Sequence, residues 1–440
     1  MKRFLASVCV LVAFSGCSLV PTYHRPTAPL PASWSTPVPS ATSETPLAGQ
    51  WWRTFNSPEL DTFIARGVGG NFNLQAAFSR VEQARGAAQV AGAAQYPNVA
   101  VGVAAASRGI RTATGQATYE IDFWGKNRAI AQSAIQLADA TQFDAQTLRI
   151  TLGASIADSY FQVLSFKERL DLARVIVSDA QRVLTLVETR ARLGTASNLE
   201  IAEQRNALKT FEAAIPALQQ AHDQALYQLA VLVGDAPQGF QIRDSGLDAI
   251  AAPEVRADTP IAVLSRRPDV AAAEARLKSA NFDVGAARAA FLPSVSLSAL
   301  VDAVLQPTSA VFSLVGAATL PVFTGGQLTG QLRVDRAHAD ELVATYRQTI
   351  IEALRDVESQ LTAVRQLDQV NGIDRDAVES AREAARLARV RFDLGVIDFL
   401  TLLTTQRTLY QAEDTLLQVK LQRLQAAIGL YRALGEDVHD

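Results

Sequence analysis

The side chains that usually carry chemistry are sparse and scattered in this sequence. His24, His222, His338 and His439 are its four histidines, and none has the HExxH spacing that puts two imidazoles on one helix face beside a carboxylate. P-loop and nucleophile-elbow patterns are also missing. Catalysis is therefore not expected. Met1 is the one methionine, and Cys9 and Cys17 are the only cysteines, so soft-metal ligands are lacking along the chain and neither a metal nor a cofactor is expected. Gly67-Val68-Gly69-Gly70 has no strand-turn-helix context for a dinucleotide and reads as a loop. One cysteine does stand where chemistry is expected. Lys2 and Arg3, the apolar residues 4–14 and the small pair Ser15-Gly16 read as an export signal over residues 1–16, directly followed by Cys17. Cys9 leaves with that signal, so Cys17 has no disulfide partner in its own chain.

Phe14-Ser15-Gly16-Cys17 resembles the bacterial lipobox, whose cysteine becomes the acylated first residue of the mature protein. Buried acyl chains add about 0.8 kcal/mol of membrane affinity per methylene. Ser18, where aspartate would retain a lipoprotein at the inner membrane, resembles outer-membrane sorting. The 41 basic and 44 acidic residues leave a net charge of -3, and without a basic block nucleic acid is not an expected partner. Apolar residues make up 48% of the chain, enough for a folded core. After the first twenty residues no run approaches the roughly 18 uncharged apolar residues of a membrane helix.

Positioning must come from a duplication with a period of about 200 residues, far longer than a solenoid repeat. Ala94-Gln95-Tyr96-Pro97-Asn98-Val99 matches Ala290-Phe291-Leu292-Pro293-Ser294-Val295, Phe123-Trp124-Gly125 matches Phe323-Thr324-Gly325, and Arg192-Leu193-Gly194 matches Asp393-Leu394-Gly395. The repeats occupy residues 71–258 and 259–440, after an entry segment 17–70. Each reads as helix, strand, strand, long helix, tight turn, helix. The first helices cover 71–95 and 268–292 and stop at a proline. Strands fall within 97–124 and 293–323, at 99–103, 118–124, 294–300 and 311–323, with residues 107–116 as a linker. Residues 126–190 and 327–391 contain no proline, so each can be one helix of roughly 65 residues and almost 100 Å. In the last helix Leu402, Leu409, Leu416 and Leu430 form one row, and Leu403, Tyr410, Leu417, Leu424 and Tyr431 another. Sevenfold spacing implies left-handed supercoiling, which suits a coiled-coil core as well as a channel wall.

Four strands per chain cannot close a membrane barrel, for which about eight is the minimum. Three chains would supply twelve, giving a physical reason for oligomers. A small periplasmic sheet under a lipid tether is the alternative. Of the tryptophans, Trp34, Trp51 and Trp52 read as packing residues, and Trp124, beside a strand, as an interfacial anchor.

With these features in place the chain resembles the TolC-like outer-membrane factors, in the lipidated branch that serves resistance-nodulation-division pumps. The resemblance covers almost the whole chain. It rests on Cys17 to Tyr23 with Arg25-Pro26, on Trp51-Trp52-Arg53-Thr54-Phe55 with Ser57-Pro58-Glu59-Leu60, and on Leu264-Ser265-Arg266-Arg267-Pro268-Asp269-Val270 with Ala273-Glu274. Gly285 to Pro293 and Leu400-Thr401-Leu402-Leu403 with Gln406-Arg407-Thr408-Leu409-Tyr410 complete it. Arg266, Arg267, Pro268 and Asp269 also have a structural reading, since Pro268 suits a first helical position and Asp269 its dipole.

The resemblance implies a mainly α protomer with a small β part, a duplicated long-helix α-barrel giving four strands to a trimeric 12-stranded outer-membrane barrel. It implies a passive exit duct for drugs or other small toxic molecules, lipid-anchored in the outer membrane and reaching into the periplasm. Its partners would be two further copies, a periplasmic adaptor, an inner-membrane pump and outer-membrane lipid. Arg192, Leu193, Thr195, Ala196 and Ser197, with Asp393, Leu394, Val396 and Ile397, match the helix-hairpin tips that meet the adaptor, while Gly194 and Gly395 suit the positive φ of a helix end. Where many members ring the periplasmic aperture with acids, this chain has Thr401 and Thr404. Asp398 is the substitute carboxylate, and Arg407 matches the aperture arginine. A protein-secretion duct of the same family and a lipid-tethered coiled-coil scaffold are the alternative functions.

Overall fold

Prolines, glycines and small capping side chains mark where the elements begin and end. The computed structural model describes residues 19–28, 30–36, 50–105, 111–243, 246–251, 253, 257, 259–305 and 308–436. The expected export signal, Cys17, Ser18 and His439 lie outside them. Helices α1 (Pro58–Gly70), α2 (Phe72–Ala93), α3 (Lys126–Arg192) and α4 (Asn198–Leu232) belong to the first part of the chain; α5 (Pro260–Arg266), α6 (Pro268–Ala289), α7 (Gln327–Asp393) and α8 (Phe399–Ala433) follow. Strands β1 (Asn98–Ala105), β2 (Arg111–Ile121), β3 (Ser294–Leu305) and β4 (Thr308–Thr319) form one antiparallel sheet in the order β1-β2-β3-β4.

Duplication is visible in lengths alone. Helices α2 and α6 both have 22 residues, α3 and α7 both 67, and α4 and α8 both 35. At 1.5 Å per residue each long helix runs about 100 Å. Ser57 and Pro58 open α1, the serine side chain accepting from Leu60 N at 3.3 Å. Asp122 opens α3 by accepting from the N–H groups of Asn127 and Arg128 at 3.2 and 2.8 Å. Proline is no absolute stop, since α4 continues through Pro216.

The structure corrects several local expectations. Strand β2 begins at Arg111, so all of the expected linker 107–116 that is described is strand, and it ends at Ile121. Thr112 to Thr118 alternate small apolar with polar residues too weakly to announce a strand, but β1 and β3 flank this run and both pair with it. Strand β4 ends at Thr319, whose partner Ser294 is the first residue of β3, so residues 320–323 have no strand to pair with among the described residues. Helices α2 and α6 finish at Ala93 and Ala289, four residues before Pro97 and Pro293, because a proline has no N–H for the carbonyl four residues back and its ring clashes with it. Gly67 to Gly70 close helix α1 and are not a loop; a Cβ on Gly67 would come within 2.2 Å of Ile156 Cδ1, so a close helix approach uses that glycine.

The repeats also align one residue further on than the Phe123-Trp124-Gly125 match suggests. Asn98 pairs with Thr118 and Ser294 with Thr319, and the long helices begin at Lys126 and Gln327. Gly125 (φ 73) and Gly326 (φ 87) then correspond, each carbonyl accepting a 2.9 Å bond, from Ala129 and Gly330. Trp124 therefore corresponds to Gly325, and Ile121 to Val322.

Two compact units take segments from both repeats: Met1–Pro29, Ala76–Gln146 and Arg267–Glu352 form one, and Leu30–Gln75, Thr147–Arg266 and Ala353–Asp440 the other. In the second, Trp51, Trp52, Phe55, Leu60 and Phe63 pack with Tyr160, Phe161, Leu424, Leu430 and Tyr431. Trp51 stacks on Tyr431 at 5.2 Å, and Trp34 packs against the edge of this core. Rings this large each contribute about 1.5–3 kcal/mol by burial. Of the sevenfold rows in α8, Leu402, Leu403, Leu424, Leu430 and Tyr431 are buried, whereas Leu409, Tyr410, Leu416 and Leu417 are half-buried. Arg423, which interrupts one row, pairs with Asp368 at 2.7 Å.

Candidate functional site

The sheet's register sorts its side chains onto two unlike faces, one apolar and one mixed that holds most of the sheet's polar groups. Residues directly opposite one another in an antiparallel ladder project to the same side. One such side carries Val99, Val101 and Val103 of β1, Ala113, Gly115, Ala117 and Tyr119 of β2, Leu297, Ala299 and Val301 of β3, and Phe312, Leu314 and Gly316 of β4. The other carries Thr112, Thr114, Gln116, Thr118 and Glu120, then Ser294, Ser296, Ser298 and Asp302 with Leu300 and Val304 among them, then Ser309 and Ser313 with Val311, Val315 and Ala317 among them. On the apolar side Val101 is 79% and Phe312 67% exposed, and a continuous bare patch of this kind marks a face made for lipid or another protein. The 12 residues each of β3 and β4 exceed the roughly 9–11 that a tilted strand needs to cross hydrocarbon. β1 has 8 described residues. No described helix is long and apolar enough to cross a membrane. β1 and β4 leave the sheet's outer edges open.

At the foot of the sheet Trp124 donates from its indole to Pro293 O at 2.7 Å and is half-buried. A strap follows α6 upward from there in reverse. Arg288 donates to Leu19 O at 3.5 Å, Asn281 to Pro21 O at 2.8 Å, and both Tyr23 (3.4 Å) and Arg25 (Nε, 3.1 Å) to the carboxylate of Glu274. Lys278 lies 3.2 Å from the same carboxylate. Burial works to raise the Glu274 pKa, but Arg25 and Lys278 outweigh it and the net position is below the ordinary carboxylate value; burial and Glu274 together push the Tyr23 phenol up. A Cβ on Gly285 would sit 2.7 Å from Val20 Cα, so only glycine lets the strap lie this close. Thus Glu274 and Gly285 hold the strap, a role their sequence setting gave no sign of.

The helix-hairpin turns are built alike. After α3, Thr195 N–H donates to Arg190 O and Gly194 N–H to Ala191 O, both at 2.9 Å; after α7, Val396 donates to Arg391 O at 2.8 Å and Gly395 to Phe392 O at 3.0 Å. This paired pattern is the Schellman motif, and Gly194 (φ 76) and Gly395 (φ 72) supply its left-handed residue. Leu193 and Leu394 are 74% and 73% exposed, and Arg192, Thr195, Asp393 and Val396 are exposed too, while Ala196 and Ile397 pack on the small core of Val183, Val187, Phe392, Phe399 and Leu402. Ser197 makes a reciprocal capping box with Glu200.

Asp398 is the N-cap of α8: its carboxylate accepts from Thr401 N–H at 2.8 Å, and hydrogen bonding by the Thr401 side chain and then by this N–H holds its pKa below the usual carboxylate value. The turn therefore brings Asp398 and Thr401 together. Thr404 is exposed one turn along, its hydroxyl donating to Leu400 O at 2.8 Å, and Arg407 is exposed beyond it. Sequence reasoning missed Arg190, whose guanidinium lies 4.4 Å above the Phe392 ring and donates to Phe392 O and Asp393 O at 3.3 and 3.4 Å. It ties the end of α3 to the end of α7. Nothing in spacing could show a contact between residues this far apart.

Arg267, at the N-cap of α6, is buried and forks onto Asp269 at 3.0 and 2.6 Å, with Pro268 in the first turn. Arg266 lies 3.9 Å from Glu436. These contacts start a helix and suggest no ligand. Among the described residues no group of three or more metal-binding side chains gathers.

Comparison with known proteins gives a consistent result. Residues 68–235 and 260–436 match the family of outer membrane efflux proteins. The chain is 35% identical over 456 residues to the pyoverdine export outer membrane protein OpmQ of Pseudomonas aeruginosa, spanning 98% of this chain and 96% of that one. It is 30% identical over 469 residues to the toluene efflux pump outer membrane protein TtgF of Pseudomonas putida, spanning 99% and 97%. The fold superposes on the outer-membrane channel OprN with a TM-score of 0.88 at 26% identity, over 95% of this chain and 99% of that one.

Proposed function

The chain belongs to the outer membrane efflux protein family, and from that membership we propose that three copies close their sheets into one barrel, forming the exit duct of a tripartite pump. As an outer-membrane efflux protein it is a passive conduit and not an enzyme. The observation that carries the duct reading is the two-faced sheet. Its apolar side suits lipid and its serine, threonine and glutamine side suits a water-filled lumen, while four strands alone leave two edges that hydrocarbon cannot satisfy.

Acylation of Cys17 fits the same picture. Leu19 is held at Arg288 in the last turn of α6, close before β3 begins, and a lipid two residues upstream has a reach of about 7 Å from there. The anchor and the barrel foot would then enter one membrane. The paired tips, with Leu193, Thr195, Leu394 and Val396 bare, offer docking points to a periplasmic adaptor linked to an inner-membrane pump. Asp398, Thr401, Thr404 and Arg407 would line the aperture, where capping keeps the Asp398 carboxylate charged and fixed. Small organic cargo is the substrate class in keeping with relatives named for pyoverdine and toluene, and selection would rest with the pump.

The test is mass in mild detergent together with conductance in planar bilayers. Trimers that conduct support the reading; monomers that do not conduct would leave a tethered coiled-coil scaffold in its place.

A further inference from the structure

Directly past the end of β4 stand apolar side chains that are largely bare. Leu320, Val322 and Phe323 are 54%, 90% and 91% exposed, although they directly follow a paired strand. Their counterparts in the first repeat are half-buried, and the reason is visible in the ladder. Strand β2 runs beyond the start of β1, where Asn98 pairs with Thr118, and its last residues are held from the other side only: Tyr119 by Leu297, Glu120 by Ser296 and Ile121 by Val295. Strand β4 ends level with the start of β3, where Ser294 pairs with Thr319, so the equivalent residues 320–323 follow that pair outside the ladder. What it lacks is the strand on the far side.

The duplication says which strand that is and how it sits. Through the paired residues Thr118 and Thr319, Tyr119 corresponds to Leu320 and Ile121 to Val322; through Asn98 and Ser294, Leu297 corresponds to Val101 and Val295 to Val99. The junction between the two repeats inside one chain is thus a template for the junction between chains. Resting on the three-copy reading, we infer that β4 pairs antiparallel with β1 of the next copy in the register that sets Leu320 opposite Val101 and Val322 opposite Val99. Parity agrees, because β4 residues with even numbers and β1 residues with odd numbers both belong to the apolar side. Phe323 then falls opposite Asn98 of the next copy, next to Tyr96, which is 73% exposed. Pro321 has no N–H to give, so the added ladder rests on the residues around it.

Cysteine pairs read the register directly. In full-length protein, Val101→Cys with Leu320→Cys should form covalent dimers and trimers on mild oxidation, and Val99→Cys with Val322→Cys should do the same one step along the ladder. Val99→Cys with Leu320→Cys, and Val103→Cys with Leu320→Cys, are displaced by two residues, about 7 Å along a strand, beyond what a disulfide bridges; these should lose the covalent product. Each variant is first sized in mild detergent. Trimers in which a displaced pair links faster, or in which neither matched pair links, overturn the register and leave the three-copy reading standing. Monomers throughout overturn both.

Discussion

Arg190 and Glu274 show how much of the arrangement depends on single side chains joining distant segments. Arg190→Ala removes a cation–π contact, in the range of about 0.5–2 kcal/mol, and uncovers the last carbonyls of α7. Amide exchange in residues 389–397 should therefore quicken without loss of global stability; unchanged exchange there would show that the contact is idle. Glu274 leads to a prediction in pH. Its folded pKa lies below the unfolded value, so the strap is stabilised above the unfolded pKa, and that contribution is lost as pH falls through the folded one. Limited proteolysis at the N-terminus should accelerate in acid for the native protein. Glu274→Gln should be cut faster at neutral pH and show little further change in acid. Because the Arg25 side chain is 63% exposed, Arg25→Ala should cost under about 1 kcal/mol, less than loss of the carboxylate that three groups share. A pH-independent strap in the native protein would contradict this.

At the level of elements, the αL glycines and the two sheet faces carry the predictions. Gly194→Ala and Gly395→Ala each force a Cβ into left-handed space at about 1–2 kcal/mol, and denaturant unfolding should read both losses at similar size, since the turns are built alike. Leu314→Arg should destabilise the membrane-inserted form by about 2–4 kcal/mol, whereas Ser296→Arg on the opposite face should be tolerated; equal effects in bilayer-folding measurements would erase the distinction between faces. The long helices were legible because proline is excluded from 126–190 and 327–391, and the tips because Leu-Gly recurs in both repeats. Strand β2 was not legible, as Thr-Ala-Thr-Gly-Gln-Ala-Thr has too little hydrophobic contrast to be recognised without its neighbours. Gly67 to Gly70 misled because a glycine run looks like a loop until a packing partner, Ile156, gives the helix a use for it. The strap and Arg190 were invisible for a different reason, since both depend on residues more than two hundred positions apart or on separate helices.

For the whole molecule, family membership and the duplicated architecture point to one conduit made from identical parts. Helices of 67 and 35 residues in both repeats would, in the proposed three-copy assembly, supply six similar hairpins. The apolar and polar sides of the sheet are what distinguish a duct from a tethered coiled coil, and they can be read in a conducting channel. The most direct measurement is single-channel current during exposure to a charged thiol reagent, with Ser296→Cys and Leu314→Cys compared against the parent protein. The account predicts three equal downward steps for Ser296→Cys and none for Leu314→Cys or the parent. Steps in the Leu314→Cys channel with a silent Ser296→Cys channel, or a step count other than three, would contradict it.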